Sequence, residues 1–443
     1  MHRERFSQVK AKQGGKMKGL KNFIVFVLVL ASVTGCAKKG PSKLTIWVNY
    51  NDEEFLVFKE LADKYQVENK LQIDIERIPF SGTEQKILTA LATRTTPDIA
   101  RVDLAFVPKL AKKGALAELD TLSGADSLIQ NIVPAALQSV MIDGKMYGVP
   151  DQVTCLALFY NKDLFRSAGL DPDKPPKTWD EFLAYAKRLT NEKEGIFGFA
   201  MNNTLWWTLP FFYTFGADFI KDSKCALNTP EAIEAMKFKV SLYQTEKVEA
   251  GAWKAGAVDP DMGFQSGKYA MVLNGPWKIK TLTDMKINFG VGLIPSGKAQ
   301  TSTAIGGTDM VIFRNSKFIA EAFKFLCWLT SKDNQVIWSD RLGQIPVHLG
   351  ATPSVDTLKH PYLGVFIKQL ETAHARPPLV NYSDIENAVN PEMELALNGK
   401  KTVEQALNDA CAKMDALLQG EPTTTQNESS KANQGSDSTK KAN

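Results

Sequence analysis

The chain has 443 residues, 44% of them hydrophobic and 23% charged, which is typical of a globular protein long enough for two domains. Its formal net charge is +4, but residues 1–35 hold seven Lys or Arg residues and one acid, a balance of +6, so the chain from Cys36 onward is net −2. Since no basic stripe follows residue 35, a nucleic-acid partner is excluded.

The first 36 residues have the layout of a secretory signal. Three lysines between residues 16 and 21 precede an uncharged run over 23–33, which is shorter than the roughly 20 residues that a membrane span needs. The run ends in Val33-Thr34-Gly35-Cys36, which resembles a bacterial lipobox. An ordinary signal peptide that happens to contain a cysteine is the alternative. We predict a signal peptide over 1–35, a lipidated (palmitate-bearing) Cys36, a lipid-anchored linker over 36–42 and an extracytoplasmic, membrane-tethered location.

Both termini carry a second prediction. Residues 1–16 are long and polar for the start of a signal peptide, so Met17 is the predicted start of translation. Residues 421–443 consist mainly of Thr, Ser, Asn, Gln and Lys, which predicts a disordered tail.

Strand and helix patterns alternate at the start of the mature chain. Residues 44–48 and 71–75 predict strands, followed by helices over 55–65 and 81–93. A short buried strand over 98–102 then leads to a helix that ends at Lys112-Lys113-Gly114. This order predicts a mainly parallel sheet covered by helices.

The second half of the chain repeats the alternation. Thr178 opens a helix through a capping box, and Thr229 opens another with Pro230 in its first turn. Strand patterns return over 270–273, 289–293 and 310–313, and helices then dominate to residue 418. We therefore predict two α/β lobes, each with its own sheet.

Four cysteines follow Cys36, namely Cys155, Cys225, Cys327 and Cys411. None is spaced as C-x-x-C, so neither a zinc site nor a redox motif is indicated. We expect buried free thiols rather than disulfides, although an exported location leaves the disulfide alternative open.

Catalytic and cofactor motifs are not found. Histidine is scarce, and no zinc-protease, nucleophile-elbow or dinucleotide-binding pattern occurs. Residues 292–299 are spaced like a phosphate-binding loop, but Ala299 lacks the hydroxyl for magnesium and Pro295 lacks a backbone N–H. We expect no metal, no cofactor and no enzymatic activity.

Aromatic and polar residues instead gather at the ends of predicted elements. Trp206 and Trp207 precede a proline, Asn274-Gly275-Pro276-Trp277 follows a strand, and Gly306-Gly307-Thr308-Asp309 precedes another. Aromatic faces beside amides, hydroxyls and carboxylates suit a carbohydrate, which offers C–H faces for stacking and hydroxyls for hydrogen bonds. The alternative for Trp206 and Trp207 is a purely structural place in the core.

These segments resemble one family. Residues 266–271 running into Asn274-Gly275-Pro276-Trp277 are similar to the signature segment of family 1 extracellular solute-binding proteins of sugar ABC importers, which include the maltose-binding protein. The similarity extends to residues 44–49, 96–99, 144–150, 159–165 and 176–179 and covers nearly all of 43–420.

The resemblance implies a bilobal α/β fold of the periplasmic-binding-protein type II class, with a hinge and a ligand cleft between the lobes. It implies an N-terminal lobe of 43–152 plus 305–350 and a C-terminal lobe of 153–304 plus 351–420. It further implies a monomeric substrate-binding lipoprotein that captures a sugar or oligosaccharide and delivers it to ABC permease transmembrane subunits.

Carried over one position at a time, the resemblance implies a set of ligand-binding residues from both lobes. They are Asn49, Asn51, Asp52, Asp103, Phe106, Asp151, Trp206, Trp207, Trp277, Gly306, Gly307, Thr308, Asp309 and Tyr382. The three tryptophans would stack on sugar rings, and Asp151 would either meet the ligand or only set the hinge.

Two positions depart from the maltose-binding protein and put maltose itself in doubt. Thr154 stands where an acidic contact is expected, and Glu386 stands near a tryptophan position. Three other functions stay open: binding of a non-sugar solute such as glycerol-phosphate or a polyamine, a secreted glycosidase with Asp103 and Asp309 as paired carboxylates, and a structural surface lipoprotein. Phosphate binding is disfavoured because the proposed cleft residues include no Arg.

Overall fold

A computed structural model describes residues 43–356 and 358–420 of the chain. The predicted signal peptide, Met17, Cys36, the linker and the tail over 421–443 lie outside the described residues. Within the described ranges, no helix is both long and apolar enough to cross a membrane.

The strands are β1 (Lys43–Val48), β2 (Gln72–Arg77), β3 (Ile99–Asp103), β4 (Met141–Ile142), β5 (Lys145–Met146), β6 (Val149–Thr154), β7 (Ala157–Asn161), β8 (Ile220–Lys221), β9 (Lys224–Cys225), β10 (Met271–Asn274), β11 (Phe289–Gly292), β12 (Thr303–Ala304), β13 (Gly306–Ile312) and β14 (Ala373–His374). The helices are α1 (Asp52–Asn69), α2 (Thr83–Thr93), α3 (Val107–Lys112), α4 (Ala125–Asn131), α5 (Pro134–Leu137), α6 (Lys162–Ser167), α7 (Trp179–Leu189), α8 (Leu205–Thr214), α9 (Pro230–Gln244), α10 (Pro260–Gln265), α11 (Ile279–Asp284), α12 (Ile319–Leu329), α13 (Lys332–Leu342), α14 (Leu363–Leu370), α15 (Tyr382–Leu397) and α16 (Val403–Gln419). Short 3₁₀ turns cover Leu104–Phe106, Glu192–Glu194, Pro276–Lys278 and Thr352–Ser354.

The first lobe is built on a five-stranded sheet with the order β2-β1-β3-β13-β6. Strand β1 pairs in parallel with β2 and β3, whereas β13 pairs antiparallel with β3 and β6. The predicted mainly parallel sheet is therefore only half right, because a strand from much later in the chain enters between β3 and β6. That return places the Gly306 end of β13 beside the Thr154 end of β6.

The second lobe is built on a separate three-stranded sheet with the order β10-β7-β11, in which both pairings are antiparallel. Helices α8, α9, α15 and α16 pack together on this side of the molecule. Two lobes with separate sheets confirm the predicted bilobal α/β fold class.

Helix caps explain how the local segments begin. Asn51 caps α1 through a reciprocal capping box with Glu54, which fixes the loop that follows β1. The Thr178 hydroxyl accepts a hydrogen bond from the backbone N–H of Glu181 at the start of α7, and the Thr229 hydroxyl caps α9 in the same way. Both threonine N-caps are confirmed, but the predicted capping box is not complete, because the Glu181 carboxylate accepts from the backbone N–H of Lys177 instead.

The expectation of four free thiols is wrong for one pair. Cys225 and Cys411 form a disulfide that joins β9 to α16 across 186 residues. The β8–β9 hairpin carries Cys225 to α16, where the Asp415 carboxylate accepts a hydrogen bond from the Cys225 backbone N–H at 2.7 Å. Cys155 and Cys327 are free, the first buried and the second half-buried.

Candidate functional site

The cleft between the lobes contains two adjoining chambers. The first chamber, of about 400 Å³, is lined by the ends of β1, β3, β6 and β13 and by the segment after β10. The second chamber, of about 370 Å³, is lined by residues 80–84, by Phe106 and by the start of α15. Both volumes fall in the usual range for small-molecule sites. Six residues line both chambers: Asn49, Phe80, Asp103, Trp206, Trp207 and Arg376.

The structure brings eleven of the fourteen predicted ligand-binding residues to these chambers. The first chamber contains Asn49, Asn51, Asp103, Trp206, Trp207, Trp277, Gly306, Gly307 and Thr308, and the second adds Phe106 and Tyr382. Asp52, Asp151 and Asp309 line neither chamber.

Three tryptophans meet in the first chamber. Trp206 and Trp207 begin α8 and are both half-buried, with their ring centroids 5.3 Å apart in an edge-to-face arrangement. Trp277 follows β10, and its ring centroid lies 6.2 Å from that of Trp206 and 6.3 Å from that of Trp207. Trp206 and Trp207 are partly exposed and line the first chamber, and they also pack against the hydrophobic core of the second lobe.

Two glycines leave room for the rings of Trp206 and Trp277 to lie against the backbone. A Cβ atom at Gly275 would lie 1.8 Å from Cζ3 of Trp277, and one at Gly306 would lie 2.6 Å from Cζ2 of Trp206. Both separations are far below a carbon–carbon contact distance. The chain therefore uses glycine at these positions so that an aromatic ring can rest directly on the backbone.

Arg101 organises the floor of the first chamber. Its guanidinium donates to Asp151 at 2.7 Å, to the amide oxygen of Asn49 at 2.8 Å and to Gln152 at 2.9 Å. The Thr308 hydroxyl donates to the other oxygen of Asp151 at 2.9 Å. Asp151, only 4% exposed, thus lies beneath the chamber wall, where it fixes Arg101 and Thr308 in place.

A second arginine crosses the cleft. The Arg376 guanidinium, in the loop between β14 and α15, donates to Asp103 at the end of β3 over 2.9 Å. Its Cζ atom lies 5.8 Å from the ring centroid of Trp206 and 5.3 Å from that of Tyr382. The argument that the cleft holds no Arg is therefore wrong: Arg101 and Arg376 both line it.

The two remaining acids lie away from the chambers for different reasons. Asp52 is in the first turn of α1 and forms an ion pair with Arg77, with 84% of its side chain exposed. Asp309 is 1% exposed, its carboxylate accepts a hydrogen bond from the Ser139 hydroxyl at 3.0 Å, and burial raises its pKa well above the usual value. Because side chains alternate along a strand, Thr308 lines the chamber whereas Asp309 does not.

Sequence reasoning missed several residues that line the chambers. Glu54, Phe80, Glu84, Arg101, Gln152, Asp261, Lys278 and Arg376 are among them, while Thr154 and Glu386, noted as departures from the maltose-binding protein, line the chambers as well. Arg101 had a usable signal, since it is a charge inside the buried strand Ile99–Asp103. Arg376 had none, because it comes from a loop that reaches the cleft only through the return of the chain to α15.

The fold and the cleft define a bilobal solute-binding protein. Residues 60–363 match the family described as bacterial extracellular solute-binding protein, and the chain belongs to that family. A maltooligosaccharide ABC transporter solute-binding lipoprotein of Streptococcus pneumoniae (strain ATCC BAA-255 / R6) is 26% identical over 401 residues, which cover 84% of this chain and 89% of that protein.

Two solved structures show the same architecture. An ABC transporter solute binding protein of Thermotoga lettingae TMO, bound with α-D-tagatose, is 27% identical with a TM-score of 0.79, covering 85% of this chain and 100% of the other. The cyclic α-maltosyl-1,6-maltose binding protein of Arthrobacter globiformis is 28% identical with a TM-score of 0.72, covering 86% and 100%.

Proposed function

We propose that this protein is the substrate-binding component of an ABC importer, which captures a sugar or oligosaccharide in the interlobe cleft and delivers it to a membrane permease without chemical change. The observation that carries the proposal is the corner of Trp206, Trp207 and Trp277, set among hydrogen-bonding side chains in a cleft between two lobes. Aromatic faces hold the C–H faces of a sugar ring, and amides and carboxylates hold its hydroxyls.

In this proposal the residues that line the chambers have different roles in binding the sugar. Trp206, Trp207 and Trp277 stack on sugar rings, and Phe106 and Tyr382 border the second chamber. Asn51, Asp103 and Thr308 make hydrogen bonds to hydroxyls from the first lobe, and Gly306 and Gly307 allow a close approach to the backbone. Asn49 and Asp151 position these groups through Arg101, since their side-chain oxygens already accept its hydrogen bonds.

Binding couples to closure of the two lobes. The Asn51 side-chain amide donates to the Trp277 carbonyl oxygen at 3.1 Å, and Arg376 pairs with Asp103. Ser383 also donates to Glu84, and Lys109 pairs with Asp384, so the two faces of the cleft are in direct contact at several points. A ligand that contacts both faces stabilises the closed arrangement, because it has a higher affinity for that arrangement than for an open one. The hinge lies at the crossings between the proposed N-terminal lobe (43–152 plus 305–350) and the proposed C-terminal lobe (153–304 plus 351–420).

The location follows from the leader. Cleavage before Cys36 and lipidation of that cysteine would hold the protein on the extracytoplasmic side of the membrane, beside its permease. Cys36→Ser is expected to move the protein from the membrane fraction to the soluble fraction. A variant that stays in the membrane fraction would argue against the lipid anchor.

The charges of the cleft favour a sugar over an anionic solute. Arg101 and Arg376, which could bind a phosphate, are already paired with Asp151 and Asp103. A phosphate would have to share these guanidinium groups with carboxylates of the protein, whose negative charge opposes its own. The glycosidase alternative has no support from the geometry, because Asp309 is buried away from the chambers while Asp103 lines them.

Calorimetric titration of the purified mature protein tests the proposal. The panel contains glucose, maltose, maltotriose and maltotetraose, the corresponding mannose and xylose oligosaccharides, glycerol-3-phosphate and spermidine. Binding of at least one neutral sugar, together with unchanged sugar after long incubation, is the expected result. Binding of only glycerol-3-phosphate or spermidine, or release of monosaccharide from an oligosaccharide, would overturn the proposed function.

A further inference from the structure

Within the described residues, one carboxylate that lines the second chamber, that of Glu386, forms no ion pair. Glu84 accepts hydrogen bonds from Lys109 at 3.0 Å and from the Ser383 hydroxyl at 2.6 Å, and Asp103 is paired with Arg376. Glu386, on α15, has no ion-pair partner within the described residues, and it lines the second chamber. Burial raises the pKa of Glu386 to about 7, against the opposing effect of Arg376.

Three hydrogen-bond donors of residues that line this chamber likewise have no partner in the part of the chain that the structure describes. They are Nε of Arg376, the hydroxyl of Tyr382 and Nε1 of Trp206, and all three atoms are buried. The side chain of Arg376 is 5% exposed, Tyr382 is 1% exposed, and both residues line the second chamber. Buried polar groups are almost always hydrogen-bonded in folded proteins, so three unpaired donors in one chamber point to a ligand that accepts from them.

We propose that the second chamber is a subsite for one neutral sugar unit, in which Glu386 accepts hydrogen bonds from sugar hydroxyls while Arg376 and Tyr382 donate to the oxygen atoms of the same unit. This inference rests on the proposed function and adds a specificity-determining residue to it. A hydroxyl group both donates and accepts, so a pair of neighbouring hydroxyls satisfies a carboxylate and two donors together. A uronate or a phosphorylated sugar fits less well, because its negative charge would face the carboxyl group of Glu386.

The subsite differs in kind from the first chamber. There, three tryptophan rings offer apolar faces that accept many sugars, since stacking depends little on which hydroxyls a ring carries. In the second chamber, a sugar whose hydroxyls point elsewhere leaves the buried carboxylate and the buried donors unpaired. Because unpaired buried groups cost free energy, such a sugar binds much more weakly than one whose hydroxyls match. Glu386 therefore selects the configuration of the unit that it contacts, and the tryptophans add affinity for the rest of the ligand.

Two substitutions test the subsite, each against a matched control. Glu386→Gln removes the charge with little change in shape, and Glu394→Gln is the control, since Glu394 is an exposed acid on the same helix. Tyr382→Phe removes a hydroxyl that has no partner in the described chain, so it is expected to leave the thermal unfolding temperature unchanged or slightly raised.

Each protein is titrated with the tightest-binding sugar of the panel and with the shortest sugar of the same series that binds. We expect Glu386→Gln to weaken the tightest-binding sugar at least tenfold and the shortest by less than threefold, with Tyr382→Phe in the same direction and Glu394→Gln unchanged. Equal losses for both sugars, or no loss for the longer one, would overturn the subsite while leaving the proposed function intact. If the unaltered protein binds no sugar of the panel, the proposed function fails first and the subsite fails with it.

Discussion

Gly306→Ala is the most direct test of how the tryptophan corner is built. The new Cβ atom would lie 2.6 Å from Cζ2 of Trp206 and 3.1 Å from Cγ2 of Thr154. The backbone of Gly306 is not in the left-handed region, so alanine meets no conformational strain there. The effect of the substitution therefore comes from the contacts of the new Cβ atom, the closest of which is with the Trp206 ring.

The size of the effect follows from that contact. Carbon atoms pack at about 3.5–4.0 Å, so the ring must move by about 1 Å. If the ring stays, overpacking lowers the free energy of unfolding by about 1–3 kcal/mol. If the ring moves, the free protein is not strained. A sugar that needs the original ring position must then push the ring back against the new Cβ atom. The same energy then appears as a loss in affinity of about 5- to 150-fold.

Denaturant unfolding measures the loss in folding free energy, and calorimetric titration measures the loss in binding free energy. The expected result is that the losses in folding free energy and in binding free energy add up to about 1–3 kcal/mol. Gly364→Ala on α14 is the control, because a Cβ atom there has no neighbour within 4 Å. A Gly306→Ala protein that unfolds like the unaltered protein and binds its sugar within twofold would refute the reasoning.

Three further predictions concern other parts of the molecule. Trp277→Ala should weaken sugar binding by about 1 kcal/mol or more in calorimetry, because a stacking face is lost, and unchanged affinity would contradict that role. Cys225→Ser with Cys411→Ser should lower the free energy of unfolding by up to about 5 kcal/mol, the chain-entropy value for a bridge spanning 186 residues. In denaturant unfolding, only the unaltered protein should then respond to a reductant, and a double variant of equal stability would count against the disulfide. Burial raises the pKa of Glu249 from 4.5 to about 7, so between these values the unfolded chain releases a proton that the folded protein keeps. The free energy of unfolding should therefore fall as the pH rises through that window. Glu249→Gln should flatten the fall, and an unchanged slope would disprove this assignment.

Most helices and strands could be predicted from short-range sequence patterns. Thr178 and Thr229 cap helices where the sequence predicts them, because a cap depends on residues only three positions apart. Strand β1 likewise begins within one residue of its prediction. The insertion of β13 between β3 and β6 could not be predicted from the strand patterns, because those patterns do not say which strands pair.

The candidate site was predictable only where a motif carried it. Trp277 and Gly306 stand in segments that resemble the family, and both line the first chamber. Asp52, Asp151 and Asp309 were placed by their position next to strand ends, but that position does not say which way a side chain points. Cys225 and Cys411 meet only in the folded molecule, so their spacing along the chain held no information about the bridge.

The Asn51–Trp277 hydrogen bond and the Asp103–Arg376 ion pair join the two lobes through protein atoms alone. Whatever free energy these contacts supply raises the closed fraction of the empty protein, by about tenfold for each 1.4 kcal/mol. The same contribution raises the apparent affinity for ligand, because less of the binding energy is used to close the lobes. A partner that recognises the closed form would therefore respond to lower ligand concentrations but would distinguish filled from empty protein less well. These two contacts contribute to that balance together with the Glu84–Ser383 and Lys109–Asp384 pairs.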